Sequence, residues 1–420
     1  MLEKVGAGLG GFDRRVWLLL GAMLVFRFGQ GLYYPFSTIY FHNVVGIPLS
    51  LIGVGLASLA AASVVSGLIS GPLTDRYGRK PIMLAALFGG AATFLCFALV
   101  ESIQGYLAVS FAAGLLGSSS FDAARNAMVA DVTPEGLRTR AYGLVRVGGN
   151  VGWALGPAVA GLVAVWGGGS GVIYQTMFVG TAVLTLAVLV SLALLVRESL
   201  PKKAAELAGM AGRSSPAVRP SKLRAALSDA PFLALLAAGF LLYYVFTQDW
   251  QALPVYASNF LQIPDAWIGL FLAGNGLVVM LLQLPVAYLL DGRSKVTALA
   301  VGAGLFAASS ATLLLTESFF GILVAFAGFF TLAEMILEVA GASLAAELAP
   351  VERRGTYLAL FGCCFGASYG ISPIAAGLLL DAELPEIIWI VQLVASALAL
   401  TSLFVLAALR ERSATSLQQR

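Results

Sequence analysis

The chain has 420 residues, of which 59% are hydrophobic and 11% charged, with a formal net charge of +3 and a mean hydropathy of +0.89. This composition excludes a water-soluble globule and places the chain in the membrane class. The small positive charge is no nucleic-acid signature: 22 of the 25 Lys and Arg sit at the termini or in alternate loops, where they report topology.

Runs of roughly 20 or more mostly apolar residues, the length that crosses about 30 Å of hydrocarbon, predict twelve membrane-spanning helices. In chain order they are α1 (16–42), α2 (49–73), α3 (81–100), α4 (105–130), α5 (141–166), α6 (172–196), α7 (231–258), α8 (265–290), α9 (296–315), α10 (319–347), α11 (355–380) and α12 (387–409). Barrel strands would be shorter and would alternate in polarity. The run in α1 follows Arg14-Arg15 without a small-residue cleavage site, so it reads as a retained helix, not a signal peptide. No Lys or Arg occurs in the loops near 43–48, 101–104, 167–171, 259–264, 316–318 or 381–386, which predicts that both termini face the cytoplasm of a cell inner membrane. The basic, Pro/Ser-bearing stretch 197–230 reads as a cytoplasmic linker between two six-helix bundles, 1–196 and 231–420. Within it, residues 221–228 can form a short amphipathic helix on the membrane surface.

The two bundles are copies. At one ungapped offset of 216, Tyr40 pairs with Tyr256, Asn43 with Asn259, Pro48 with Pro264, Gly53 with Gly269 and Asp75 with Asp291. The same register pairs Arg79 with Lys295, Glu101-Ser102 with Glu317-Ser318, Pro134 with Pro350, Pro157 with Pro373 and Gly161 with Gly377. A duplicated membrane unit is the build of a transporter that works by rocking its halves.

Between α2 and α3 runs Gly71-x-Leu73-x-Asp75-Arg76-x-Gly78-Arg79-Lys80. With six plus six helices, this loop resembles that of the major facilitator superfamily, and the resemblance covers essentially the whole chain. The fold expected is therefore all-α and integral to the membrane, two six-helix bundles related by a pseudo-twofold. Gly71 is expected to let α2 approach a neighbour closely. The resemblance implies that Asp75 meets the positive end of α11 near Gly355, and that Arg79 pairs with an acid at the inner end of α4, here Asp131. The repeat predicts a sister pair, Lys295 with Glu347, beside Asp291. Together these residues would form a cytoplasmic gate.

In α5, Gly148, Gly152 and Gly156 recur every fourth residue, followed by Pro157 and Gly161, giving a smooth stripe and a kink. The pattern is similar to a signature of the family's proton-coupled exporters, although Ala160 departs from it and α11 keeps only Ser372-Pro373 and Gly377. An arginine common near the outer start of α4 in drug exporters is Ser110 here, so its proton-relay role does not carry over.

Seven charges fall inside predicted spans: Arg27, Asp122, Arg125, Arg146, Asp249, Glu334 and Glu338. Each costs roughly 2.5–3.5 kcal/mol at a helix centre, so all should face the protein interior or a watered cavity. The family fold lines its cavity with α1, α4, α7 and α10, which carry six of the seven. Glu334 and Glu338 stand one turn apart and resist being ionised together in an apolar cavity. Glu334, whose repeat mate is Ser118, is the first choice as proton acceptor, with Glu338 and Asp249 as further candidates. Arg27, Gln30 and Tyr34 share a face of α1, and Tyr244, Gln248 and Gln251 share one of α7. Asn150 and Trp153 follow Arg146, and aromatics with scattered amides suit amphiphilic substrates.

With three cysteines inside predicted helices and a single histidine, His42, no metal site is expected. No GxxxxGK[ST] loop is present, so the driving force expected is a proton gradient, with no cofactor and no enzymatic activity. The sequence reads as a monomeric secondary transporter whose partners are a small-molecule substrate, protons and membrane lipid. Proton-driven export of hydrophobic or amphiphilic compounds leads; the alternatives are a proton symporter for a small anionic organic solute and a lipid or lysolipid transporter.

Overall fold

A computed structural model describes residues 12–134, 137–166, 170–200, 224–350 and 353–418. The greater part of the 197–230 linker lies outside them. Twelve of the described helices are long and apolar enough to cross a membrane. They are α1 (Arg14–Asn43), α2 (Leu49–Tyr77), α3 (Arg79–Ala98), α4 (Ile103–Leu116 and Ser118–Val132), α5 (Arg138–Trp166), α6 (Gly171–Leu195), α7 (Ala230–Asn259), α8 (Asp265–Leu290), α9 (Lys295–Leu315), α10 (Phe319–Leu348), α11 (Arg354–Asp381) and α12 (Pro385–Gln418). The chain is an integral membrane protein. It divides into a first unit, Met1–Ser37 with Ser58–Ser215, and a second, Thr38–Ala57 with Pro216–Arg420. The end of α1 and the start of α2 therefore group with the second unit, a division the sequence did not suggest.

The repeat is visible in how the helices begin. Asp13 accepts the Arg15 N–H at the head of α1, and its repeat mate Asp229 accepts the Phe232 N–H at the head of α7. Hydrogen bonding from the Arg15 guanidinium holds the Asp13 carboxyl below the usual carboxylate range. Ser102 caps α4 through the Gly105 N–H and Ser318 caps α10 through the Gly321 N–H, again one repeat apart. Neither of those two helices runs regularly. Gly117 interrupts α4, whereas α10 passes through a π-helical stretch at Val324–Phe330.

Helix pairing inside the units explains the glycine stripe of α5. A Cβ on Gly148, Gly152 or Gly156 would lie within 3 Å of the α1 carbonyl oxygens of Leu20, Leu24 and Phe28 respectively, so the two backbones touch. The second unit makes the same interface with different chemistry. At the positions related to the three glycines stand Cys364, Ser368 and Ser372 of α11. Cys364 Sγ donates to Leu236 O, Ser368 Oγ donates to Phe240 O at 3.0 Å, and Ser372 Oγ shares a hydrogen bond of 2.8 Å with Thr247 Oγ1. Leu236, Phe240 and Thr247 are themselves the repeat mates of Leu20, Leu24 and Gly31. The stripe that seems lost from α11 in the sequence is preserved there as small hydrogen-bonding side chains.

This difference fixes an expectation. Gly152→Ala forces a methyl against the Leu24 carbonyl and should cost about 1–3 kcal/mol. Ser368→Ala removes one hydrogen bond to an acceptor already used within α7 and should cost about 1 kcal/mol or less. Gly143→Ala, with open space around its Cβ, should leave stability unchanged. Thermal unfolding of the three purified variants in one detergent orders them.

Candidate functional site

Two of the three intramembrane arginines of the first unit gather around one carboxylate. Asp122 of α4 lies 3.2 Å from Arg27 Nη2 of α1 and 2.7 Å from Arg125 Nη1 one turn further along α4. Arg27 also donates to Gln30 Oε1 at 2.6 Å, and Arg125 donates to Met23 Sδ and Asn126 Oδ1. The side chains of Arg27, Asp122 and Arg125 are 22%, 30% and 12% exposed, so the cluster is largely withdrawn from solvent while carrying one net positive charge. Tyr34 stacks edge-on against Trp153 of α5 with ring centroids 5.6 Å apart, and the open side of Gly149 faces Arg27 Cγ. Arg146 and Asn150, flanking that glycine on α5, are exposed and half-buried.

The second unit treats its acids differently. Its six apolar segments contain no Lys or Arg. Amide and hydroxyl donors reach these acids. Asn275 of α8 donates to Glu334 Oε2 at 2.9 Å and to Thr331 Oγ1 at 2.8 Å, and Tyr243 OH donates to Glu338 Oε1 at 3.3 Å. Thr331 in turn donates to Phe326 O, five residues back, closing the π-helical stretch directly before Glu334. Such wide turns re-aim the side chains that follow them and recur at functional sites. Asp249 and Gln248 have no exposed surface. Gln248 Nε2 donates to Tyr244 OH at 3.1 Å, and Asp249 turns toward α12, where Gln392 Nε2 donates to its Oδ1 at 2.6 Å. Gln248, expected on a cavity wall, is therefore enclosed in this structure, and Asp249 points at a helix the family pattern leaves out of the cavity.

At the α2–α3 loop, Arg79 is the hub. Its guanidinium reaches Asp131 Oδ2 at 2.9 Å, Asp75 Oδ1 at 3.1 Å and Thr74 O at 2.9 Å. Arg76 lies over the ring of Tyr77, and Lys80 Nζ donates to Ala193 O at the end of α6. Gly78 has φ +106 and almost touches Glu198, so no side chain fits there. Glu198, absent from the sequence reading, uses its carboxylate as the cap of α3. Oε1 accepts the Arg79 N–H at 3.1 Å and Oε2 the Lys80 N–H at 2.9 Å, while neighbouring Ser199 donates to Asp131 Oδ2 at 2.8 Å. A carboxylate at the N-terminus of a 20-residue helix is favoured by both the free N–H groups and the dipole.

Two expectations for this region need correction. Open space surrounds the position of a Gly71 Cβ, so the close approach expected of that glycine is not made in this structure. The sister pair Lys295–Glu347 is not among the ion pairs of the described residues: Lys295 Nζ donates instead to Leu290 O at 2.6 Å, and Glu347 is exposed. Leu290 is the repeat mate of Thr74, so Lys295 keeps the half of the Arg79 contacts that closes the preceding helix. An ammonium presents its three donors from one nitrogen, whereas the guanidinium fork spreads its donors over three nitrogens and serves the carbonyl and the carboxylate together. Asp291 ends α8 and is exposed, followed by Gly292 at φ +68.

The second unit holds a set of contacts that sequence reasoning did not assemble. Asp381, the last residue of α11, accepts the Leu49 and Ser50 N–H groups at the head of α2, both at 2.8 Å. Asn43 and Asn259, repeat mates, exchange reciprocal amide hydrogen bonds of 2.9 Å. The missed residues (Glu198, Asn275, Asp381 and Gln392) share one signal, a polar side chain alone in an apolar span or at a helix boundary.

The profile of the Major Facilitator Superfamily matches residues 19–274 and 250–420. The chain is 28% identical over 373 residues to a Na(+), Li(+), K(+)/H(+) antiporter of Planococcus maritimus, across 81% of this chain and 84% of that protein. It is 24% identical over 410 residues to the multidrug resistance protein MdtH of Yersinia enterocolitica, across 93% of each. Its fold is that of a POT family transporter solved in complex with 5-aminolevulinic acid, with a TM-score of 0.72 at 15% identity over 93% of this chain and 96% of that one.

The Glu198 cap predicts a local stability effect. Glu198→Ala should lower unfolding stability by about 0.5–2 kcal/mol, the usual cost of deleting a helix cap, while Glu101→Ala at an exposed loop should not. Thermal melts of both variants, with limited proteolysis of the α2–α3 loop, measure it.

Proposed function

We propose that this chain, which belongs to the major facilitator superfamily, is a proton-coupled antiporter that exports hydrophobic or amphiphilic small molecules. In this reading it works by alternating access, as a monomer in the cell inner membrane with both termini cytoplasmic, and needs no cofactor beyond the proton gradient. The observation that carries the reading is the segregation of intramembrane charge. Three arginines lie in the first unit, and three of the four carboxyls in the second, where amide and hydroxyl groups contact them. A carboxyl that accepts from amide and hydroxyl donors can keep a hydrogen bond whether or not it carries a proton.

Glu334 is the proposed coupling residue. It is half-buried on α10, it follows the π-helical stretch, and Asn275 orients it. Tyr34, Trp153 and Tyr244 offer apolar rings with polar edges, which suits amphiphilic organic molecules. The likeness to a cation/proton antiporter and to a multidrug resistance protein supports exchange against protons. One observation favours a second reading, symport of a small organic anion: the Arg27–Asp122–Arg125 cluster keeps an excess guanidinium that could receive a carboxylate.

Direction separates the two. In proteoliposomes carrying an imposed pH gradient, ethidium should move opposite to protons for the exporter. Accumulation of a small carboxylate along with protons would favour the symporter. Glu334→Gln should abolish gradient-driven ethidium movement while leaving ethidium binding, followed by its fluorescence polarisation, within about twofold of the parent (roughly 0.4 kcal/mol). Undiminished active transport in that variant removes Glu334 from the proton path.

A further inference from the structure

Asp249 and Gln392 form a carboxyl–amide pair with no exposed surface. Asp249 Oδ1 lies 2.6 Å from Gln392 Nε2, while Oδ2 has no hydrogen-bond partner among the described residues. Behind the amide, Ser310 Oγ of α9 lies 2.8 Å from Gln392 Oε1 and 3.0 Å from Phe306 O. A hydroxyl has one hydrogen, so it serves Gln392 or Phe306 at a time.

Those alternatives match two protonation states of the carboxyl. With Asp249 ionised, or protonated at Oδ2, the amide N–H donates to Oδ1 and the Ser310 hydroxyl donates to Gln392 Oε1. With the proton on Oδ1, the amide turns over: the carboxyl O–H donates to Oε1, Nε2 donates to Ser310 Oγ, and the hydroxyl donates to Phe306 O. The N and O of a glutamine amide occupy nearly the same places, so the turn needs no repacking. Every pattern keeps both amide ends of Gln392 bonded, a requirement for a polar group this deep.

The packed neighbours bring no fixed charge to the site. α9 and α11 carry Lys, Arg, Asp or Glu only in their end turns, and α12 carries them only at Glu386 and at Arg410, Glu411 and Arg412. On α10, Glu334 and Glu338 contact Asn275 and Tyr243. The other titratable groups on these elements are Tyr243, Tyr244 and Tyr256 of α7 itself, Glu347 near the end of α10, Tyr357, Cys363, Cys364 and Tyr369 of α11, and Asp265 and Tyr288 near the ends of α8.

We propose that Gln392, turned by Ser310, is the positioning residue of a proton-binding carboxyl at Asp249, a site enclosed between α7, α9 and α12. The step is a proton transfer alone: one O–H bond forms on Asp249 when the proton arrives and breaks when it leaves. The inference rests on the proton-coupled reading above, and it adds a second proton position held by a helix outside the expected cavity.

Infrared difference spectroscopy after a pH jump tests it on the full-length protein in lipid, with no substrate needed. The parent should show a protonated-carboxyl C=O stretch that disappears in Asp249→Asn and changes frequency in Gln392→Leu, where the carboxyl loses its amide partner. The exchanged pair Asp249→Asn/Gln392→Glu keeps one acid and one amide in contact and should restore a carboxyl band. The exchanged pair guards against a single variant that fails to fold. A parent spectrum unchanged in Asp249→Asn overturns the proposal. So does a Gln392→Leu variant that melts lower but leaves the band where it was, the mark of a merely structural glutamine. An Asp249 band in a protein that moves no ethidium sinks the exporter reading and leaves this site standing; ethidium export against protons without that band does the reverse.

Discussion

The cost of charge inside hydrocarbon organises this molecule. Each ionised side chain near a helix centre is opposed by roughly 2.5–3.5 kcal/mol, and the two units meet that cost by different chemistry. The first brings two guanidiniums to one carboxylate, so that Asp122 offsets parts of both Arg27 and Arg125. Such a cluster holds one guanidinium in excess of its carboxylate. The second has no cation within its apolar segments and supplies Asn275, Tyr243 and Gln392 as donors to its acids. Donors of that kind tolerate either protonation state, because an amide or hydroxyl can keep a hydrogen bond when the carboxyl gains a proton. The difference in charge between the two halves follows from one physical constraint.

Backbone geometry then decides where those groups stand. Asp122 follows the interruption of α4 at Gly117, and Glu334 follows the π-helical stretch of α10, so in both units the charge comes shortly after an irregular turn. The straight helices do the complementary work. Along α1–α5 and α7–α11 the chains approach closely on the same three positions, through glycine in one case and through Cys364, Ser368 and Ser372 in the other. Glycine permits contact without direction, whereas a serine hydroxyl adds a directed hydrogen bond to the facing carbonyl. The duplication has kept the interface while changing the interaction that holds it.

Much of this was legible in the sequence, for identifiable reasons. Twelve spans follow from apolar run length, a quantity the bilayer fixes, and the family resemblance of the α2–α3 motif implied the pairing of Arg79 with Asp131, which stand 2.9 Å apart. That Arg27, Asp122 and Arg125 are largely withdrawn from solvent was foreshadowed by their cost in lipid. Illegible were the features that depend on which neighbour a helix meets. Gln392 is one amide in an apolar run, and nothing in its spacing aims it at Asp249. The π-helical stretch has no composition signature, since Val324–Phe330 reads as ordinary apolar helix. Glu198 lies where a basic linker begins, and only the folded chain brings it to the head of α3. The glycine stripe was read correctly in α5 and missed in α11 because the search was for glycine, not for small side chains at the same interval.

The two loops of the repeat show how little chemistry separates a simple helix closure from a many-armed one. Arg79 and Lys295 both open a helix, and both bond the repeat-related carbonyl of the helix before, Thr74 and Leu290. That shared contact accounts for a basic residue at each position. Beyond it the guanidinium has donors to spare, and the first loop uses them on Asp75 and Asp131 while Glu198 occupies the backbone N–H groups beside it. A lysine whose ammonium is committed to a carbonyl has less reach for a second anchor, which is why Glu347, although placed by the repeat where Asp131 stands, remains exposed. An ion pair inherited through duplication therefore needs more than two opposite charges in register. It needs a donor with geometry enough to serve the backbone and the partner at once.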